Sequence, residues 1–262
     1  VTSRSTSRPH FELIMPKAQL TRVPAFPDDA RSRAGAKAAH GHLDFFAAIP
    51  IEYREAVLEQ CSVKRYRKGE TVWSQGDAAH ALAFLAAGKV FSIFHGANGR
   101  SGAVSFWSSG DILGAELISG EVTTRQTSLR CLEDATIYFL EWSRFQGIVK
   151  RFPEIAYAVI TALSVRLRWA IRLVHILQTQ TAFSRVGSIL LALAERFPTE
   201  SPAGTMIDLD ITHEDLAAIV GVSRQFMTVT LHDLERKGLI SNARKRITLT
   251  DVARLRQLTQ VP

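Results

Sequence analysis

Two cysteines, Cys61 and Cys131, are all that 262 residues contain. That is too few for a disulfide scaffold, for an iron–sulfur cluster held by four thiolates, or for a zinc site built from cysteine alone. Also missing is any run of eighteen apolar residues, and no apolar run follows the basic residues of VTSRSTSRPH, so neither a membrane span nor a secretion signal is expected. A reducing cytoplasm is the expected home. The motifs G-x-x-x-x-G-K-[ST], G-x-S-x-G and H-E-x-x-H do not occur. Neighbours such as His232 and Asp233 are adjacent on a helix and do not face each other, so nothing points to an enzyme. Glycine and proline are absent from 154 to 186, which leaves room there for one long helix.

What is present is basic and unevenly spread. The net charge is +7, a reason to look for a polyanionic partner. Residues 1–42 hold seven Lys/Arg against three Asp/Glu and show no period of 2 or 3.6, so they read as a flexible basic arm. Residues 43–151 balance at twelve against twelve, while from Leu216 onward eight basic residues face three acidic ones. Between Ser62 and Leu140 short β-type runs (TVWSQ, KVFSIF, AVSFW, ATIYFL) alternate with turn glycines, the pattern of an antiparallel β-roll.

After Pro153, Ala156, Ile160, Leu163, Leu167, Ala170, Val174, Leu177 and Thr181 recur at alternating steps of four and three, a heptad seam. One helix of roughly 28 residues spans about 42 Å, too long to bury itself in a small domain. Ile160, Leu163, Leu167, Ala170, Val174 and Leu177 are therefore expected to meet a second copy. Val159, Ala162, Trp169, Leu173 and Ile176 widen the stripe so that its other side covers the β-roll. A second helix from Ser184 to Phe197 ends at Pro198, and TESPAG reads as a loop.

The most specific segment is 212–240, THEDLAAIVGVSRQFMTVTLHDLERKGLI. Thr212 is placed to cap a first helix with Glu214 and Asp215 in its opening turn, Gly221 ends it, Val222 plugs the corner, and Ser223 caps a second helix. Met227, Thr230, Leu231 and Leu234 share one face of that second helix, and Arg224, Gln225, Thr228 and His232 share the other. This is the division a recognition helix needs in the major groove of double-stranded DNA. Arg224 is suited to guanine and Gln225 to adenine, each through a forked pair of hydrogen bonds, with Thr228 and Val229 beside them. Thr212 and Ser223 suit phosphate oxygens. LISNARKRITLT then reads as two strands around a basic tip, Arg244, Lys245 and Arg246, which a phosphate backbone would meet.

These residues, with the Gly-punctuated roll and the long helix after FPEI, resemble the cyclic-AMP receptor protein and FNR superfamily of bacterial transcription regulators. The resemblance covers residues 43 to about 258. Behind the arm at 1–42, it implies an α+β chain with a cyclic-nucleotide-binding-like sensor roll at 43–151, a dimerisation helix at 152–182, and a winged helix-turn-helix at 183–262. It further implies a homodimer on a partly palindromic site that contacts RNA polymerase. The family's recognition pattern SRETVxR becomes Ser223, Arg224, Gln225, Phe226, Met227, Thr228, Val229, so Gln225 and Val229 change what can be read.

The sensor departs further. Gly114 and Glu116 resemble the start of the family's phosphate cassette, with Ala115 inserted. Gln126 and Thr127 stand where an Arg-hydroxyl pair belongs, with Arg125 one residue early. On a strand that shift would turn Arg125 to the other face unless a bulge corrects it. Positions that would offer hydroxyls to adenine are Ala170 and Ile171, poor partners for a polar base. The expectation is thus a sensor that does not use the standard cyclic-AMP contacts. The alternatives are a cyclic-nucleotide site with Arg125 as phosphate partner, or a haem sensor with an axial ligand among His80, His95, Cys61 and His175.

Overall fold

The computed structural model describes residues 44–97, 101–243 and 246–259. The proposed arm at 1–42 and the wing-tip residues Arg244 and Lys245 lie outside them. Two short helices, α1 (Phe45–Ala48) and α2 (Ile51–Leu58), lead into eight strands: β1 (Ser62–Tyr66), β2 (Thr71–Trp73), β3 (Ala81–Ala87), β4 (Lys89–His95), β5 (Ser101–Ser108), β6 (Ile112–Leu113), β7 (Ser128–Cys131) and β8 (Ala135–Glu141). They form two antiparallel sheets, ordered β1-β8-β3-β6 and β2-β7-β4-β5. Then come α3 (Trp142–Arg151), the 26-residue α4 (Glu154–Thr179), α5 (Ala182–Arg196), β9 (Pro198–Ser201), β10 (Gly204–Ile207), α6 (His213–Val220), α7 (Arg224–Arg236), β11 (Ile240–Ala243), β12 (Arg246–Leu249) and α8 (Val252–Thr259).

The strand ALAFLAA shows how the sequence places the layers. Successive residues of a strand point to opposite faces. In β3 Ala83 and Leu85 enter the roll interior with Val90, Leu113, Leu129 and Ile137. Leu82, Phe84 and Ala86 turn outward to Phe45, Phe46, Phe145, Ile155 and Val159 on the helices. Both faces are covered, so β3 is apolar throughout rather than alternating. Ala158, Val159, Ala162 and Val165 are the buried side of α4, whereas Tyr157, Ile160, Leu163, Leu167, Ile171 and Val174 remain exposed, Leu167 at 60%.

TESPAG is not a loop, as the sequence suggested. Residues 198–207 form the hairpin β9–β10, which joins the wing strands in a sheet ordered β11-β12-β10-β9. Each strand has four residues, too few to show a period, and Pro198 opens the edge strand, where no ladder hydrogen bond is lost. The C-terminal unit also does not pack alone: its core takes in Phe91, Phe106 and Leu132 from the roll.

Candidate functional site

The helix-turn-helix is built from its caps. Thr212 Oγ1 accepts from Asp215 N at 3.1 Å and donates to Asp215 Oδ2 at 2.6 Å, while Thr212 N donates to the same carboxylate at 3.2 Å, a closed capping box on α6. Gly221, at φ +72°, ends α6 in the left-handed conformation that an L side chain resists. Val222 packs on the core, and Ser223 Oγ accepts from Phe226 N at 3.1 Å to start α7. Such caps stabilise by about 1 kcal/mol each. They also fix the direction of α7.

Met227, Thr230, Leu231 and Leu234 are buried, and Arg224, Gln225, Thr228, Val229 and His232 are exposed. The face proposed for base edges is therefore free, with Val229 at 64% exposure. Thr212 and Ser223 stand at the two helix starts with their hydroxyls engaged in the caps. Arg246, on β12, is tied at 2.6 Å to Asp208, which also accepts from Lys89 of the roll at 2.9 Å. Burial would raise the Asp208 carboxyl, but the hydrogen bonds from Lys89 and Arg246 hold it below the usual range. Lys68 with Asp210, and Arg130 with Asp215 at 3.2 Å, likewise join roll cations to carboxylates of the C-terminal unit.

The roll contains a cavity of about 170 Å³ lined by Trp73, Trp107, Gly114, Glu116, Thr127 and Leu163, among others. Arg125 lies behind this lining, 5% exposed. Its guanidinium donates to Ala81 O at 2.6 Å, reaches Glu116 at 3.5 Å and sits 4.1 Å from the centre of the Trp73 ring. A Cβ on Gly114 would collide with Arg125 Nη1. The expected turn to the other face does not occur. Residues 121–127 carry only an isolated antiparallel bridge, Thr124 to Ala78, and there Arg125 N donates to Asp77 O while Arg125 O accepts from Gly76 N, so two residues face one and strict alternation does not fix Arg125. Burial pulls its guanidinium below the usual range, and Glu116 works against that. Gln126 is exposed, with its amide donating to Thr124 O. Ala170 and Ile171 are exposed on α4 and do not line the cavity, and neither do His80, His95, His175 or Cys61.

Sequence reasoning missed Arg166. It lines the cavity from α4, stacks 3.7 Å from the Trp107 ring centre and lies 2.5 Å from Asp111 Oδ2. Arg196 of α5 reaches the same oxygen at 3.1 Å. One carboxylate thus joins the cavity wall to the first helix of the C-terminal unit. The signal was available: Arg166 interrupts the inward stripe Ala162, Val165, Trp169, where a charge needs a partner.

Comparison with known proteins agrees with this geometry. A cyclic nucleotide-binding domain model matches residues 63–152 and a Crp-like helix-turn-helix domain model matches 184–258. The CRP-like cAMP-activated global transcriptional regulator of Mycobacterium tuberculosis is 26% identical over 87% of this chain and 97% of its own length. The cAMP-activated global transcriptional regulator Vfr of Pseudomonas aeruginosa is 25% identical over 72% and 90%. The structure of the c-di-GMP responsive global regulator CLP of Xanthomonas campestris superposes with a TM-score of 0.68 at 25% identity, covering 76% of this chain and 99% of that one. These relatives are transcription regulators rather than enzymes, and no helix among the described residues is long and apolar enough to cross a membrane. With a roll of the cyclic nucleotide-binding type followed by a DNA-binding helix-turn-helix, the chain belongs to the cyclic-AMP receptor protein and FNR superfamily of transcription regulators.

Proposed function

We propose that the protein is a cytoplasmic homodimer that binds a partly palindromic DNA site and contacts RNA polymerase there. Arg224 and Gln225 read bases, assisted by Thr228 and Val229. Thr212, Ser223, Arg244, Lys245 and Arg246 meet phosphates. The observation that carries this reading is the exposed polar face of α7, held by two capped helices and bearing Arg224 and Gln225. The dimer rests on the stripe Ile160, Leu163, Leu167 and Val174, whose 37–60% exposure in a single chain is more apolar surface than one helix keeps without a partner. Selection of bound sequences from random DNA by the purified protein tests the reading. Two related half-sites about one helical turn apart are expected, and an unrelated or unenriched pool would refute it.

A specific observation favours a cyclic nucleotide as effector. Arg125 is buried against Gly114 and Glu116, which line the cavity, and Arg166 lines it from α4, so a phosphate held there would have Arg166 at the wall and Arg125 directly behind it. The adenine side would then rest on Trp73, Trp107 and Leu163 rather than on Ala170 and Ile171. Arg125→Ala should abolish cyclic-AMP binding in calorimetry, and unchanged binding in that variant would remove Arg125 from the site.

A further inference from the structure

We propose that the recognition helix reads thymine methyl groups, through Val229 and through the methyl of Thr228, whose hydroxyl is held away from the bases by His213. The inference rests on α7 being the base-reading helix and names what part of its surface reads.

The polar atoms around Thr228 form a closed chain. Thr228 Oγ1 donates to Arg224 O at 3.0 Å, one helical turn back. Its hydrogen being used there, Oγ1 accepts from Nδ1–H of His213 at 3.0 Å. That tautomer leaves Nε2 as an acceptor, and the Asn242 side-chain amide donates to it at 3.2 Å. Asn242 N in turn donates to Glu235 Oε1 at 2.9 Å. His213 thus ties the first residue of α6 to the recognition helix and to wing strand β11. With its proton used on Arg224 O and one of its two lone pairs used by His213, the Thr228 hydroxyl has no hydrogen left to donate to a base and one lone pair to spare, and its methyl is the larger group that exposed Thr228 can offer.

Val229 stands one turn after Gln225, as Thr228 stands one turn after Arg224, so the two columns run side by side along the exposed face. Val229 is 64% exposed at the middle of that face, uncovered among the described residues. The apolar group that a base pair presents in the major groove is the C5-methyl of thymine. A valine and a threonine methyl placed beyond Arg224 and Gln225 match thymines adjoining the bases those two residues read. His213 is a positioning residue: it acts through Thr228.

Deoxyuridine tests this, because it removes the methyl and keeps the pairing and the O4 acceptor. In the half-site recovered by selection, each thymine is replaced singly. One buried methyl is worth about 0.8 kcal/mol. The wild type should therefore lose about fourfold in affinity at the thymine facing Val229, and about fifteenfold when both half-sites are changed. Val229→Ala should bind the thymine and uracil duplexes alike. Thr228→Ser should erase the methyl dependence at a second thymine, and Thr228→Val should keep it. His213→Ala should weaken that second dependence by a larger factor than it weakens binding to unrelated DNA, and an equal loss on both would mean that His213 only holds the fold. The proposal is overturned if the half-site holds no thymine, if uracil has no effect at any position, or if the effect persists in Val229→Ala and Thr228→Ser. A protein that enriches no sequence at all would place the failure in the base-reading role of α7, and the inference would fall with it.

Discussion

Asp111→Asn removes one negative charge and almost no volume, yet it should be among the more damaging changes in the chain. The Asp111 side chain is 6% exposed and holds Arg166 Nη2 at 2.5 Å and Arg196 Nη2 at 3.1 Å. Its Oδ2 also accepts from Ser108 N at 2.7 Å. The two guanidiniums are themselves 14% and 3% exposed. Burial drives the Arg166 pKa down to about 10, with Asp111 pulling it up and Arg196 pushing it down. Without the carboxylate, two buried cations face each other and lose the counterion they share. Breaking a buried ion pair by removing one partner costs about 3–5 kcal/mol. At about 2–4 °C per kcal/mol for a chain of this size, differential scanning calorimetry should show the melting temperature falling by about 6–20 °C. The double-variant cycle with Arg196→Met adds a sharper criterion. If Asp111 is the shared partner, the two losses should miss additivity by about 1 kcal/mol or more. Losses that add within about 0.5 kcal/mol, or an Asp111→Asn loss below about 1 kcal/mol, would refute the claim that one carboxylate joins roll and C-terminal unit.

Other consequences are equally direct. Leu167→Glu puts a charge into the exposed stripe of α4, and sedimentation should show monomer where the wild type is a dimer, with the fold kept because residue 167 is 60% exposed in the single chain; an unchanged dimer would disprove the seam. Asp208→Asn frees Arg246 from its carboxylate, so binding to non-specific DNA at low salt should strengthen and the salt dependence steepen; weaker binding would mean that Asp208 positions the wing rather than masking it. Burial raises the Cys61 thiol to about 12 and Cys131 to about 11, so at pH 8 a thiol reagent should label neither in the native protein and both after unfolding. Because the unfolded thiols ionise near 9 while the folded ones keep their protons, stability should fall as pH rises from 9 towards 11; rapid native labelling would contradict the burial.

Much of this architecture was legible in the sequence. The caps Thr212 and Ser223, the stop at Gly221 and the apolar quartet of α7 are local signals, and the helices they imply are present. The heptad run after Pro153 likewise marked α4 and separated its two faces. Less legible were features set by contacts distant in the chain. Arg125 looked misplaced because strict alternation puts neighbouring residues on opposite faces, whereas Gly76 and Asp77 together face Arg125 and its side chain lies behind Trp73 and Glu116. The hairpin at 198–207 was hidden by strands shorter than a detectable period. Arg166, Asp111 and Arg196 lie 30 to 85 residues apart in sequence, so no spacing rule connects them. The His213–Thr228–Asn242 chain needs the crossing angle of two helices and a wing before it exists.

The central claim is that α7 reads sequence through its exposed polar face, and the ratio of specific to non-specific affinity in Arg224→Ala tests it most directly. On the selected site the variant should lose about 1–3 kcal/mol of binding and relax its preference at one base pair per half-site, with binding to unrelated DNA nearly unchanged. An equal loss on both kinds of DNA, or none on either, would contradict the account.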